Sequence, residues 1–190
     1  DYTSSGLQFL YQPPATIRSV APRSGLISGN TMLNITGSGF VESSKLACRF
    51  GNVSTMPAMF ESDTKVRCRS PPMSMPGRVA VSVTTNGVDF SDSSIVFDFA
   101  PAPNITEINP MMGPELGGTA VTLTGENLDM GEVVLCDFGG SQYRTEGMWI
   151  SPTAMVCVSP PRSPASVYMR ISLNGQQFSL SLIHISEPTR

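Results

Sequence analysis

Thr31-Met32-Leu33-Asn34-Ile35-Thr36-Gly37 returns 88 residues later as Thr119-Ala120-Val121-Thr122-Leu123-Thr124-Gly125. In both copies apolar and polar side chains alternate, which is the pattern of a half-buried β-strand, and a glycine closes the run at a turn. The match spreads outward from there. At the same shift of 88, Ile17 falls on Ile105, Pro22 on Pro110, Cys48 on Cys136 and Gly51 on Gly139. One inserted residue makes the shift 89, so that Cys68 falls on Cys157 and Pro71-Pro72 on Pro160-Pro161. The shift then returns to 88, with Asn86-Gly87 on Asn174-Gly175 and Phe90 on Phe178. Self-similarity of this length is the signature of tandem domains.

Composition agrees with an all-β chain. The 190 residues have room for one large domain or two small ones. Forty per cent are hydrophobic, enough for a core, and only 14% are charged, well under the usual quarter. The net charge of −3 argues against a general binder of nucleic acid or anionic membrane, which needs a basic excess. With 17 Gly, 16 Pro and many Val, Thr and Ser, the chain reads as strands and turns rather than helices. No stretch reaches the ~18–20 apolar residues of a membrane-spanning helix. The chain opens on Asp1 with neither an initiator Met nor a signal-peptide pattern, so Asp1 is expected to be a cut end.

The repeat divides the chain into four parts. Residues 15–100 form one complete repeat and residues 101–179 a second that lacks its native last strand. Residues 1–14 match the end of the first repeat, with Phe9 on Phe97, Tyr11 on Phe99 and Pro13 on Pro101, and read as the last strand of a preceding repeat plus linker. Residues 180–190 read LSLIHISEPTR, which resembles a translated sequencing adapter and is expected to be non-native. There Ile183 and Ile185 stand where Ile95 and Phe97 do, but Glu187 replaces Phe99. The expected fold is therefore two tandem immunoglobulin-like β-sandwiches preceded by the last strand of a third. In the first, strands are expected near 15–21, 30–36, 45–50, 55–60, 64–69, 78–84 and 94–99. Asn86-Gly87 between two such runs is the strongest short hairpin signal, because both residues can take φ > 0.

The cysteines form two matched pairs. Cys48 and Cys68 are 20 residues apart, Cys136 and Cys157 are 21 apart. Strand parity puts Leu46, Cys48 and Phe50 on one face and Val66 with Cys68 on one face, so both cysteines point inward. A disulfide inside a sandwich requires that arrangement, and closing such a loop is worth about 3 kcal/mol in the chain-entropy view. Reduced, buried cysteines are the alternative; recurrence of an internal pair in each repeat favours Cys48–Cys68 and Cys136–Cys157 disulfides. Zinc spacing is absent and neither repeat contains His, since the single His is His184.

The second repeat carries Ile108-Asn109-Pro110, Gly113-Pro114, Gly117-Gly118-Thr119, Gly125-Glu126-Asn127-Leu128, Cys136-Asp137-Phe138-Gly139 and Val156-Cys157-Val158-Ser159-Pro160-Pro161. Together these resemble the IPT/TIG family, immunoglobulin-like domains shared by plexins and transcription factors. The first repeat is similar, with Ser28-Gly29-Asn30-Thr31 for the double glycine and Gly37-Ser38-Gly39-Phe40 for the second turn. The cysteine placement resembles the extracellular plexin and fibrocystin-like branch. That resemblance implies a non-catalytic binding or spacer module from a cell-surface array, used in adhesion, ligand recognition or receptor stalks. Two other classes compete with it: an intracellular transcription-factor-type module for dimerisation or DNA contact, and an accessory domain of a carbohydrate-active enzyme. The acidic balance, paired inward cysteines and tandem copies count against the first. The presence of a single Trp, Trp149, counts against the second.

No catalytic constellation is present: no G-x-S-x-G elbow, P-loop or H-E-x-x-H, and no His within the repeats. No cofactor is expected. The acidic set Glu126, Asp129, Glu132 and Asp137 fits no calcium loop. Three N-x-S/T sequons occur, at Asn34, Asn52 and Asn104, with Asn52 favoured by its turn context. Arg49, Lys65, Arg67 and Arg69 read as an outward basic stripe in the first repeat. The corresponding apolar residues Leu135, Val156 and Val158 read as an exposed interface patch, unless a loop carrying Trp149 covers it. The expected partner is a protein ligand or a neighbouring repeat, not a nucleic acid or a small-molecule substrate. Membrane attachment would come only through parts outside these residues.

Overall fold

The structure, a computed structural model, describes residues 6, 9–52, 54–92, 94–129 and 131–179. Among these the chain is almost wholly β. The first repeat holds β1 (Thr16–Ala21), β2 (Ser24–Leu26), β3 (Met32–Ser38), β4 (Ala47–Phe50), β5 (Ser54–Ser62), β6 (Lys65–Arg69), β7 (Gly77–Thr84) and β8 (Val96–Ala100). The second holds β9 (Asn104–Asn109), β10 (Ala120–Glu126), β11 (Leu135–Phe138), β12 (Arg144–Ser151), β13 (Ala154–Val158) and β14 (Met169–Ser172). The hydrogen-bonded orders are β1-β3-β6-β5-β4-β7-β8-β2 and β14-β11-β12-β13-β10-β9. The two repeats are thus tandem immunoglobulin-like sandwiches.

One long strand in each repeat belongs to both walls. Residues 54–57 of β5 pair with β4, and residues 58–62 pair with β6. Likewise residues 144–146 of β12 pair with β11, and residues 147–151 with β13. The crossing closes the core between the walls. Cys48 of β4 is bonded to Cys68 of β6, and Cys136 of β11 to Cys157 of β13, with Cα–Cα separations of 6.3 and 6.1 Å. All four cysteines are buried. Each bridge ties one wall to the other beside the crossing strand.

The alternation read from the sequence becomes burial. Leu33 and Ile35, then Val121 and Leu123, lie in separate buried cores, one per repeat. Phe50, Phe97 and Phe99 meet edge-on at the end of the first core, with ring centroids 4.9–6.2 Å apart. The short strand β2, which pairs in parallel with β8, lies outside the expected set. Three residues, one of them Gly25, offer no alternation to detect.

The Asn86-Gly87 turn differs from expectation. Only Gly87 has φ > 0, at 79°. Asn86 instead accepts the N–H groups of Val88 and Asp89 on its side-chain oxygen, both at 2.9 Å. This Asx-type turn leads into an irregular return, and β8 begins only at Val96. At the double-glycine position of the first repeat, Asn30 takes a left-handed φ of 68°, where Gly118 takes 83° in the second. Residues 9–15 form no strand. Residues 180–190, with Ile183 and Ile185, lie outside the described residues.

Candidate interaction surfaces

The wall that contains β13 presents an apolar face. On its outer side, Val156 lies between Thr122 of β10 and Met148 of β12. Val158 is 47% exposed, Met148 60% and Ile150 49%. Leu135 does not join them. It sits on β11 opposite Glu146 and Ser172, on the other wall. Trp149 lies within β12 rather than in a loop, and its side chain is directed away from Met148 and Ile150. Its indole N–H donates to the Leu128 carbonyl at 2.8 Å, so it covers a different surface. Met148 and Ile150 escaped the sequence reading, although their alternation with Gly147 and Trp149 was the available signal.

The equivalent wall of the first repeat is charged, with Lys65, Arg67 and Arg69 beside the carboxylate of Glu61. Arg67 takes the place of Val156, between Asn34 and Met59. Glu61 pairs with Lys65 at 2.9 Å and also with Arg67. The Lys65 hydrogen bond holds the Glu61 carboxyl below its ordinary value against partial desolvation, and Arg67 adds to the effect. Arg69 donates to the Asn30 side chain at 2.7 Å. The expected basic stripe is therefore divided. Lys65, Arg67 and Arg69 are on the β6 wall. Arg49 is on the β4 wall, where its guanidinium stacks 3.8 Å from the Phe90 ring.

The position of Arg49 is held by Asp137 in the second repeat, and the neighbours change sign with it. Asp137 is buried and accepts the Gly140 N–H at 2.7 Å, Arg144 Nε at 3.2 Å and Arg170 Nη2 at 3.0 Å. Burial pushes its carboxyl up, but those three donors outweigh it and leave the pKa lowered. Both arginines also lie over Phe178, at 4.3 and 5.6 Å. Asp137 is thus fully engaged, and Glu132 lies elsewhere, against Arg23. Among the described residues no three His, Cys, Asp or Glu side chains converge as metal ligands. The three sequon asparagines, Asn34, Asn52 and Asn104, are all exposed.

A polar joint connects the repeats. Asn174 accepts the Gln176 and Gln177 N–H groups at 3.0 and 3.1 Å, which fixes the turn. Gln176 then grips the backbone of Met32, accepting its N–H at 2.8 Å and donating to its carbonyl at 2.9 Å. Gln177 donates to the Gly29 carbonyl and accepts from the Thr31 hydroxyl, both at 2.8 Å. Glu132 accepts the Arg23 N–H at 3.0 Å. Nothing in the sequence singles out these two glutamines, since their role exists only across the joint.

The IPT/TIG domain model matches residues 15–99 and 103–185. The chain belongs to the IPT/TIG family. These IPT/TIG repeats are 32% identical over 161 residues to mouse plexin-A2, covering 83% of this chain and 8% of that protein. They are 28% identical over 178 residues to mouse fibrocystin-L, covering 90% of this chain and 4% of that one. The chain therefore spans under a tenth of the length of these relatives. Its fold is similar to the full extracellular region of plexin A4, with a TM-score of 0.62 at 19% identity, over 86% of this chain and 15% of that one. The IPT/TIG pair is a non-catalytic extracellular module of the plexin and fibrocystin-like branch. An extracellular or cell-surface location agrees with its two disulfides.

Proposed function

We propose that this pair of IPT/TIG domains is a rigid spacer that presents a recognition wall to a protein ligand or neighbouring domain within a cell-surface array. The observation that carries the reading is the polar joint, in which Gln176 and Gln177 hold the backbone of Gly29 and Met32. Four short hydrogen bonds from one turn fix both the distance and the twist of the second sandwich against the first. Small-angle scattering and NMR relaxation test it. The full chain should tumble as one body, and Gln176→Ala with Gln177→Ala should let the halves reorient independently. Independent tumbling of the unmodified chain would refute the spacer reading.

The apolar wall supports the recognition half. Val156, Val158 and Ile150 stand where the first repeat has Arg67, Arg69 and Glu61, so the sandwich does not need an apolar surface at those positions, and Met148 matches the exposed Met59. A net charge of −3 favours a protein partner over a nucleic acid. In a screen against recombinant cell-surface ectodomains, any partner found should be lost with Val156→Asp and Val158→Asp. Unchanged binding by the folded double variant removes the wall from the account, and Leu135, on the other wall, becomes the next residue to test. Glycans are proposed at Asn52, Asn104 and Asn34, with Asn52 first because its turn leaves the amide open to the transferase.

A further inference from the structure

We infer, on the basis of the Asn34 glycan proposed above, that this oligosaccharide lies over the charged wall of the first repeat and closes it to protein partners. Strand register sets its place. Ala21, Asn34, Arg67 and Met59 form one row across β1, β3, β6 and β5. Leu33 and Ile35 on either side of Asn34 are buried, so the Asn34 side chain faces outward, and it is exposed. On one side its neighbour is the small side chain of Ala21, which leaves room above the sheet. The chain has eight asparagines. Asn30, Asn86, Asn127 and Asn174 each commit the side chain to a hydrogen bond with another residue. The Asn34 side chain makes none among the described residues, so its amide is open.

Transfer to Asn34-Ile35-Thr36 bonds the side-chain nitrogen to the anomeric carbon of a lipid-diphosphate oligosaccharide. The bond from that carbon to the phosphate oxygen breaks, the lipid diphosphate leaves, and the nitrogen gives up one proton. The attached sugars then stand among cations. Arg67 is directly opposite Asn34, and Lys65 and Arg69 are its diagonal neighbours, about 7–8 Å away. Sugar hydroxyls accept from ammonium and guanidinium donors, which hold the first sugars near the sheet. The matching row of the second repeat is Asn109, Thr122, Val156 and Met148. There Thr122-Leu123-Thr124 lacks the sequon asparagine, and Asn109 is followed by Pro110. Asn104 opens the edge strand β9 opposite Glu126, four residues along β10 from Thr122 or about 14 Å, so its glycan stands at the corner of that wall. The row with the sequon is charged, and the row without it is apolar.

The test uses the full chain secreted from mammalian cells behind a signal peptide. Enzymatic release of N-glycans in heavy-oxygen water marks each occupied asparagine as labelled aspartate, and peptide mass spectrometry should find the mark at Asn34. Lys45 and Lys65 are the chain's two lysines. Lys65 lies on the charged wall, whereas Lys45 precedes β4 and sits beside Gly87. An amine-reactive ester carried on a protein-sized polymer should label Lys65 slowly relative to Lys45 in the glycosylated chain. Asn34→Gln should raise that ratio roughly fivefold or more, and so should Thr36→Ala, which removes the sequon but keeps Asn34. Circular dichroism checks that both variants keep the fold. An unoccupied Asn34 overturns the glycan and its shielding together. An occupied Asn34 with the same ratio in all three chains overturns the shielding alone. Neither readout involves the polar joint or the Val156 wall, so both outcomes are separable from the spacer reading.

Discussion

Asp137 shows how one residue organises its surroundings. A buried carboxylate is costly unless donors surround it, and here two arginines and a backbone N–H do so. Asp137→Asn keeps the shape and removes the charge. We expect a loss of about 1–3 kcal/mol, below the range for fully buried pairs because both arginines are partly exposed. The sign of the pH effect follows from the lowered pKa. The carboxylate contributes in full above the unfolded value of 3.8, and the contribution is lost as pH falls through the lower folded value. Urea midpoints of the wild type and Asp137→Asn should therefore differ by a constant amount at neutral pH and converge in strong acid. A gap that persists there assigns the effect to packing. The sequence aligns Asp137 with Arg49 and shows the change of sign. It does not show that Arg144 and Arg170 meet there, because both reach Asp137 through strand register.

At the scale of the element, the crossing strand is the decisive device. It changes partners at Ala58 in the first repeat and at Gly147 in the second, each opposite a disulfide cysteine, Cys68 and Cys157. A Cβ on Gly147 would lie 2.7 Å from Val134 Cγ1 and 2.8 Å from Cys136 Sγ. Gly→Ala in a strand ordinarily stabilises by roughly 0.5–1 kcal/mol. At this site overpacking reverses the sign, and Gly147→Ala should cost about 1–3 kcal/mol in denaturant midpoint. Stability equal to or above wild type would mean that the disulfide moves aside to admit the methyl. The expected strands match seven observed ones because alternation and burial are the same fact seen twice. What escaped is what alternation does not encode. Strand β2 is too short to show a period, and the Asn86 turn is governed by a side-chain acceptor that a dipeptide rule overlooks.

For the molecule as a whole, the 88-residue repeat makes the two sandwiches legible at once, while the joint between them is invisible in sequence. Apart from the Thr31 hydroxyl, the groups that the two glutamines hold are backbone groups at Gly29 and Met32, which any residues supply. Two separate cores linked by a polar joint imply two unfolding steps with weak coupling. The first core is closed by Phe97 and Phe99, and burying each is worth roughly 1.5–3 kcal/mol. Among the described residues the second core buries one phenylalanine, Phe138, where the first buries Phe40, Phe50, Phe97 and Phe99, so the second repeat should unfold first. The chain reports this without labels, because its single tryptophan, Trp149, lies in the second repeat and is tied to the Leu128 carbonyl. In guanidinium, tryptophan fluorescence should move at a lower concentration than far-ultraviolet circular dichroism, which follows both repeats. Gln176→Ala with Gln177→Ala should widen the interval, since the joint lends the second repeat part of the first one's stability. Coincident transitions in both chains would mean that the sandwiches fold as a single cooperative unit, with coupling that reaches beyond the two glutamines.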